Sequence, residues 1–192
     1  MHVVETALPG VMVVEPVVHR DQRGFFVETF HAARYAAAGV PTTFVQDNHS
    51  KSVRNTLRGL HLQLKKPQGK LVRAVEGEIW DVVVDVRRGS PTFGQWVGEL
   101  LTATNFKQLY VPPGCAHGFC VLSDVAQVEY KCTEFYDPAD ETGIAFDDPL
   151  LNIDWPIANP VLSERDRRNQ PLTALIERLG WHRTRAGDHY AA

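Results

Sequence analysis

The chain predicts an all-β fold, a double-sheet jelly roll with short peripheral helices, and three observations carry that prediction. From residue 70 to residue 132 the sequence is a succession of short apolar, β-branched or aromatic runs. Turn formers separate them at near-regular spacing: Glu76-Gly77, Arg88-Gly89-Ser90-Pro91, Pro112-Pro113-Gly114 and Ser123-Asp124. Helical patterning is confined to one alanine-rich stretch near the start and one apolar stretch near the end. Strands that short and that closely spaced, with no helix between them, belong to a sandwich or barrel.

The elements follow in order. Residues 11–18 are apolar and mostly β-branched, broken only by Glu15 and Pro16, and residues 24–30, Gly24-Phe25-Phe26-Val27-Glu28-Thr29-Phe30, are aromatic and alternating, so both read as strands. Residues 31–38 are alanine-rich and stop at Gly39, the pattern of a short helix. Strands are then expected over 71–75, 79–86, 96–101, 107–111, 118–122 and 126–132, and a closing helix over 172–179. No repeat, low-complexity tract or Pro/Ser-rich linker divides the chain, and 192 residues with 44% hydrophobic content suit one domain over 1–192.

Composition excludes several classes of function. A net charge of -3 and a pI near 6.2 give no global attraction to nucleic acid or anionic membrane, so phosphate recognition must rest on a few placed arginines. Cys115, Cys120 and Cys132 are odd in number, form no CxxC pair and follow no secretory signal, which points to a reduced, cytoplasmic protein. No apolar run approaches the roughly 18 residues that span a bilayer, so a soluble protein is expected.

Chemistry concentrates in two segments. Arg58-Gly59-Leu60-His61-Leu62-Gln63 runs into Pro67-Gln68-Gly69-Lys70, and Pro112-Pro113-Gly114-Cys115-Ala116-His117 follows after several strands. A small barrel brings two such imidazoles together in its cavity. Residues two apart in a strand share a face, so His61 pairs with Gln63, Lys70 with Val72, and Tyr130 ends an apolar stripe of Ala126 and Val128. The Tyr130 hydroxyl then needs a partner inside. Arg58 would face away from His61 unless Gly59 marks a bulge. A metal is not expected: metal-binding cupins place a His-x-His pair and a nearby glutamate on the first segment, whereas Gln63 takes the second position here. A lone strand histidine is more often a core group than a catalyst, but Lys70 and Tyr130 beside His61 make an acid and base inventory suited to proton transfer. Tyr110, Trp80, Trp96, Trp155 and Trp181 read as packing residues.

The ordered blocks Asp21-Gln22-Arg23-Gly24-Phe25-Phe26, Phe44-Val45-Gln46-Asp47-Asn48-His49-Ser50, Leu57-Arg58-Gly59-Leu60-His61, Gln68-Gly69-Lys70, Gly89-Ser90-Pro91-Thr92-Phe93-Gly94, Tyr130-Lys131-Cys132-Thr133, Trp155-Pro156 and Leu162-Ser163-Glu164-Arg165-Asp166 carry a resemblance over nearly the whole chain. The sequence resembles the dTDP-4-dehydrorhamnose 3,5-epimerases, enzymes of cupin-type double-stranded β-helix fold that act in dTDP-L-rhamnose biosynthesis. The resemblance implies His61 as base, Tyr130 as acid, Asp166 as the group orienting the histidine and Lys70 as support for the enolate. It assigns Arg23, Phe26, Glu28, Gln46, Asn48, Arg58, His117, Glu141 and Arg165 to substrate binding, with Tyr136 stacking on the thymine. It also implies a homodimer and no cofactor, since a ketone at C4 acidifies the C3 and C5 protons and serves as the substrate's own electron sink.

The sequence departs from the family at Leu62, where an aromatic is common, and at Arg165, where lysine is frequent. Neither change removes a catalytic group. Three rival functions stay open on the sequence: a mono-epimerase acting at C3 or C5 alone, a non-catalytic cupin that binds nucleotide sugars, and a metal-dependent cupin.

Overall fold

The computed structural model describes residues 1–179, and beyond them the backbone of His182–Arg183 and Tyr190–Ala191; Trp181 lies outside the described residues. Strands β1 (His2–Glu5), β2 (Met12–Glu15), β3 (Val18–Asp21) and β4 (Gly24–Val27) precede helix α1 (Ala32–Ala37). Then come β5 (Gln46–Val53), β6 (Leu57–Gln63), β7 (Lys70–Glu76), β8 (Glu78–Asp85), β9 (Trp96–Thr102), β10 (Gln108–Val111), β11 (Cys115–Val121), β12 (Val125–Cys132) and β13 (Glu141–Gly143). Helix α2 (Leu172–Arg178) and the short pair β14 (His182–Arg183) and β15 (Tyr190–Ala191) close the chain.

One sheet runs β1-β2-β10-β7-β12-β5 and the other β13-β6-β11-β8-β9, with β3 and β4 standing apart as a hairpin. The two sheets face each other across a core that includes Val72, Val128, Ile79, Val83, Leu109 and Phe119. This is the expected cupin-type jelly roll. Strand β8 is apolar along most of its length because both its faces are covered: Ile79 and Val83 point between the sheets, while Val82 and Val84 pack with Leu172, Leu175 and Ile176 of α2. The outer face of the six-stranded sheet is roofed by Tyr35 of α1, over Met12, Val14, Leu71 and Tyr110. Trp80, Trp96 and Trp155 pack against the α2 cluster as anticipated.

Several boundaries move for identifiable reasons. The run 11–18 divides into β2 and β3 at Pro16, which has no N–H for a ladder. The run 24–30 is a strand only to Val27, because His31 caps α1 with its side chain accepting from the Arg34 N–H. Gly39, at φ +81°, provides the expected glycine stop. Strand β5 carries hardly any apolar signal, yet its burial alternates: Gln46, Asn48, Ser50 and Ser52 turn inward between exposed neighbours. Its inner face borders a polar cavity where the other strands border a core.

Gly59 does mark a bulge. Along β11, His117 pairs with His61 and Phe119 with Arg58, so three steps on β6 match two on β11. The extra residue returns Arg58 to the face that His61 occupies. Gly59 has φ +136°, and a Cβ there would stand 2.5 Å from the Gly118 Cα. Gly59→Ala combines a disfavoured backbone with a backbone overlap and is expected to cost about 2–5 kcal/mol, read as a fall in the denaturant midpoint.

Candidate active site

The sheets part at one end to leave a cavity of about 610 Å³. From the five-stranded sheet come Arg58, His61, His117 and Phe119; from the six-stranded sheet come Gln46, Asn48, Ser50, Lys70 and Tyr130. Tyr136, Glu141, Ser163, Arg165 and Asp166 complete the lining. His61 and Tyr130 therefore stand on opposite walls, since they belong to different sheets.

The His61 Nε2 is 2.5 Å from the Asp166 Oδ1, although 105 residues separate them. Asp166 opens a short 3₁₀ turn, Asp166–Arg168, and its other oxygen accepts from the Ser163 Oγ at 2.9 Å. Burial works against ionisation of this carboxyl, but the hydrogen bonds from His61 and Ser163 and the Arg165 charge outweigh it and hold Asp166 below the ordinary carboxylate range. An ionised carboxylate only accepts, so the His61 Nε2 carries the proton of this bond, and in the neutral imidazole the lone pair is then on Nδ1. The Glu141 Oε1 lies 3.9 Å from that Nδ1.

A second histidine–carboxylate pair lies beside the first. His117, directly across the ladder from His61, places its Nε2 2.7 Å from the Asp81 Oδ1. Asp81 is wholly buried on β8, and its Oδ2 has no hydrogen-bond partner among the described residues. Sequence reasoning passed over Asp81; the available signal was a carboxylate inside the apolar run from Ile79 to Val84. Ser163 was also missed as the support of Asp166.

On the opposite wall burial governs. It lowers the pKa of the Lys70 ammonium, a shift that Cys132, Glu141 and Asp81 oppose without reversing. It pushes the Tyr130 phenol up to about 12, reinforced by Cys132 and Glu141 and opposed by Arg58. The internal partner expected for the Tyr130 hydroxyl is not there: neither that hydroxyl nor the Lys70 ammonium has a hydrogen bond to any described residue, and both line the cavity. Arg58 donates through Nε to the Ser52 Oγ at 3.0 Å. The Tyr136 hydroxyl donates to Glu141 at 2.7 Å, and Arg165 pairs with that glutamate and donates to the Tyr136 oxygen.

Three of the expected residues stand elsewhere. Arg23 and Phe26 lie on the β3–β4 hairpin, where Arg23 pairs with Asp21 at 2.6 Å and Phe26 is 69% exposed. Glu28 pairs with Arg34 at 2.7 Å. None of the three lines the cavity of its own chain. Among the described residues, no group of three or more His, Cys, Asp or Glu side chains is arranged to hold a metal ion, and no helix is long and apolar enough to cross a membrane.

Residues 5–174 match the family model described as dTDP-4-dehydrorhamnose 3,5-epimerase. A dTDP-4-dehydrorhamnose 3,5-epimerase of Pseudomonas aeruginosa is 53% identical over 172 residues, spanning 88% of this chain and 95% of the relative. A dTDP-4-dehydrorhamnose 3-epimerase of Streptomyces niveus is 43% identical over 162 residues, spanning 83% and 78%. Among solved structures, a dTDP-6-deoxy-D-glucose-3,5-epimerase of Legionella pneumophila in complex with dTDP-4-keto-L-rhamnose superposes with a TM-score of 0.89 at 46% identity, covering 96% of this chain and 99% of the other.

Proposed function

The chain belongs to the dTDP-4-dehydrorhamnose 3,5-epimerase family, and from that premise we propose how its side chains divide the reaction. The protein is an isomerase that converts dTDP-4-dehydro-6-deoxy-D-glucose to dTDP-4-dehydro-L-rhamnose. The observation that carries the residue assignment is the placement of His61 and Tyr130 on facing sheets across one cavity.

Inversion removes a proton from one face of the sugar and returns one to the other. His61 is the base: its Nδ1 lone pair takes the proton next to the C4 ketone, and the imidazolium so formed is stabilised by Asp166. The electron pair moves onto O4, where the Lys70 ammonium meets the developing charge. Tyr130, with its phenol held protonated, delivers a proton from the far wall, and the ketone re-forms. The imidazolium then releases its proton to solvent and the tyrosinate takes one up, which restores the pair; the same cycle serves C3 and C5 and uses no cofactor. Arg58, Arg165, His117, Gln46 and Asn48 bind the phosphates and sugar hydroxyls, and Tyr136 stacks on the base.

The active unit in this reading is a homodimer. Arg23, Phe26 and Glu28 sit outside their own chain's cavity, and the hairpin that carries two of them presents Phe25 and Phe26 to solvent, a surface suited to reaching the cavity of a second copy. A cytoplasmic setting accords with three buried cysteines, all free.

The test is incubation with the dTDP-4-dehydro sugar followed by capture with a 4-keto reductase. An L-rhamnose product is expected; recovery of the substrate unchanged contradicts the reading. Lys70 sets a further expectation. Its lowered pKa makes it lose its charge at a lower pH than an ordinary lysine, near 10.4, while Tyr130 stays protonated until about 12. The alkaline limb of the kcat profile is therefore expected below the ordinary lysine range, and Lys70→Arg moves it upward. A limb that stays in place in that variant assigns it to another group.

A further inference from the structure

We propose that Gln63 and Gln68 are positioning residues which, together with Gln46, clamp the backbone of residues 134–137 and so set where Tyr136 stands over the nucleotide base. The inference rests on the reading of Tyr136 given above. The sheet ladders leave a gap here: between the end of β12 at Cys132 and the start of β13 at Glu141, residues 134–137 lie in no strand or helix. Their backbone groups need other partners.

Three glutamine amides from three places in the fold supply them. The Gln68 Nε2 donates to the Glu134 carbonyl at 2.8 Å. The Gln63 Nε2 donates to the Phe135 carbonyl at 3.2 Å, and its Oε1 accepts from the Asp137 N–H at 2.8 Å. The Gln46 Oε1 accepts from the Tyr136 N–H at 2.9 Å. Four successive residues are thus each held by a glutamine side chain. Gln63 is 4% exposed, and its remaining N–H donates to the Lys66 carbonyl at 2.7 Å, so the whole amide is committed. From the opposite direction, the Asp140 carboxylate accepts the backbone N–H groups of Leu64, Lys65 and Lys66, which ties the loop after β6 to the same segment.

Apolar burial does not position this segment. Phe135 is 61% exposed and Tyr136 45%. Tyr136 owes its place to its backbone and to the hydroxyl contacts with Glu141 and Arg165. Gln63 also occupies the position where a metal-binding cupin carries its second histidine, so this chain uses that inward-facing site to hold a loop.

A clamp of this kind acts on nucleotide binding rather than on proton transfer. Gln68→Ala removes one bond from a half-buried residue; Gln63→Ala removes three from a buried one. Each is compared with Tyr136→Ala by calorimetric affinity for dTDP, by KM and by kcat. Both glutamine variants are expected to weaken dTDP binding and raise KM by roughly tenfold, with kcat at saturation within about twofold. Combining Gln68→Ala with Tyr136→Ala is expected to add almost nothing to the loss from Tyr136→Ala alone. If Tyr136→Ala leaves dTDP affinity unchanged, the stacking reading fails and the clamp's purpose with it. If Tyr136→Ala weakens binding but Gln68→Ala does not, or if the two losses add in full, the stacking reading survives and the clamp is overturned.

Discussion

His61→Asn is expected to lower kcat by about 10³- to 10⁴-fold while dTDP affinity stays within about twofold of the parent. Asparagine keeps a donor for the buried Asp166 but has no lone-pair nitrogen to accept a carbon-bound proton. The neighbouring groups are engaged elsewhere: the His117 Nε2 with Asp81 on the same wall, and the Glu141 carboxylate with the Tyr136 hydroxyl and Arg165. The loss is expected at C3 and C5 alike, because one base serves both positions. Turnover within tenfold of the parent removes the histidine from the mechanism and favours a protein whose cavity binds the nucleotide sugar through other contacts. Nucleotide affinity measured alongside separates loss of chemistry from loss of fold.

Tyr130→Phe is expected to separate proton exchange from inversion. Removing the hydroxyl leaves His61 and Lys70 in place, so a proton still leaves the carbon and the enolate still forms. Without the acid on the far wall, that proton returns from the His61 side and the original configuration is restored. In deuterated water the recovered substrate therefore gains label, while epimer formation falls by about 10²- to 10⁴-fold. Tyr130 titrates only near 12, so the defect is expected to be constant across neutral pH. A variant that inverts at close to the parental rate shows that another group delivers the proton.

What the sequence made legible and what it did not divide along physical lines. Strands β7 to β12 were readable because they border apolar core on at least one face, and their alternation or their continuous apolar runs follow from that. Strand β5 was passed over because its inward residues are Gln46, Asn48, Ser50 and Ser52, chosen by a wet cavity. The pairing of Arg58 with His61 depended on a bulge, and the glycine was the available sign that a strict period of two fails there. Asp166 reached the candidate list through a matched motif, since no local pattern relates residues 105 positions apart. Asp81 and the clamp role of Gln63 were invisible for the same reason: each is defined by its partner on another strand or loop. Arg23, Phe26 and Glu28 were named by resemblance, and a single chain does not bring them to its own cavity.

The central claim is that one base and one acid, facing each other across a single cavity, carry out both inversions. Its most direct test is turnover of dTDP-4-dehydro-6-deoxy-D-glucose by the unmodified protein in deuterated water, with label and configuration at C3 and C5 read by NMR. Deuterium at both carbons in an L-configured product is the predicted result; deuterium and inversion at one carbon alone contradicts it and identifies a mono-epimerase.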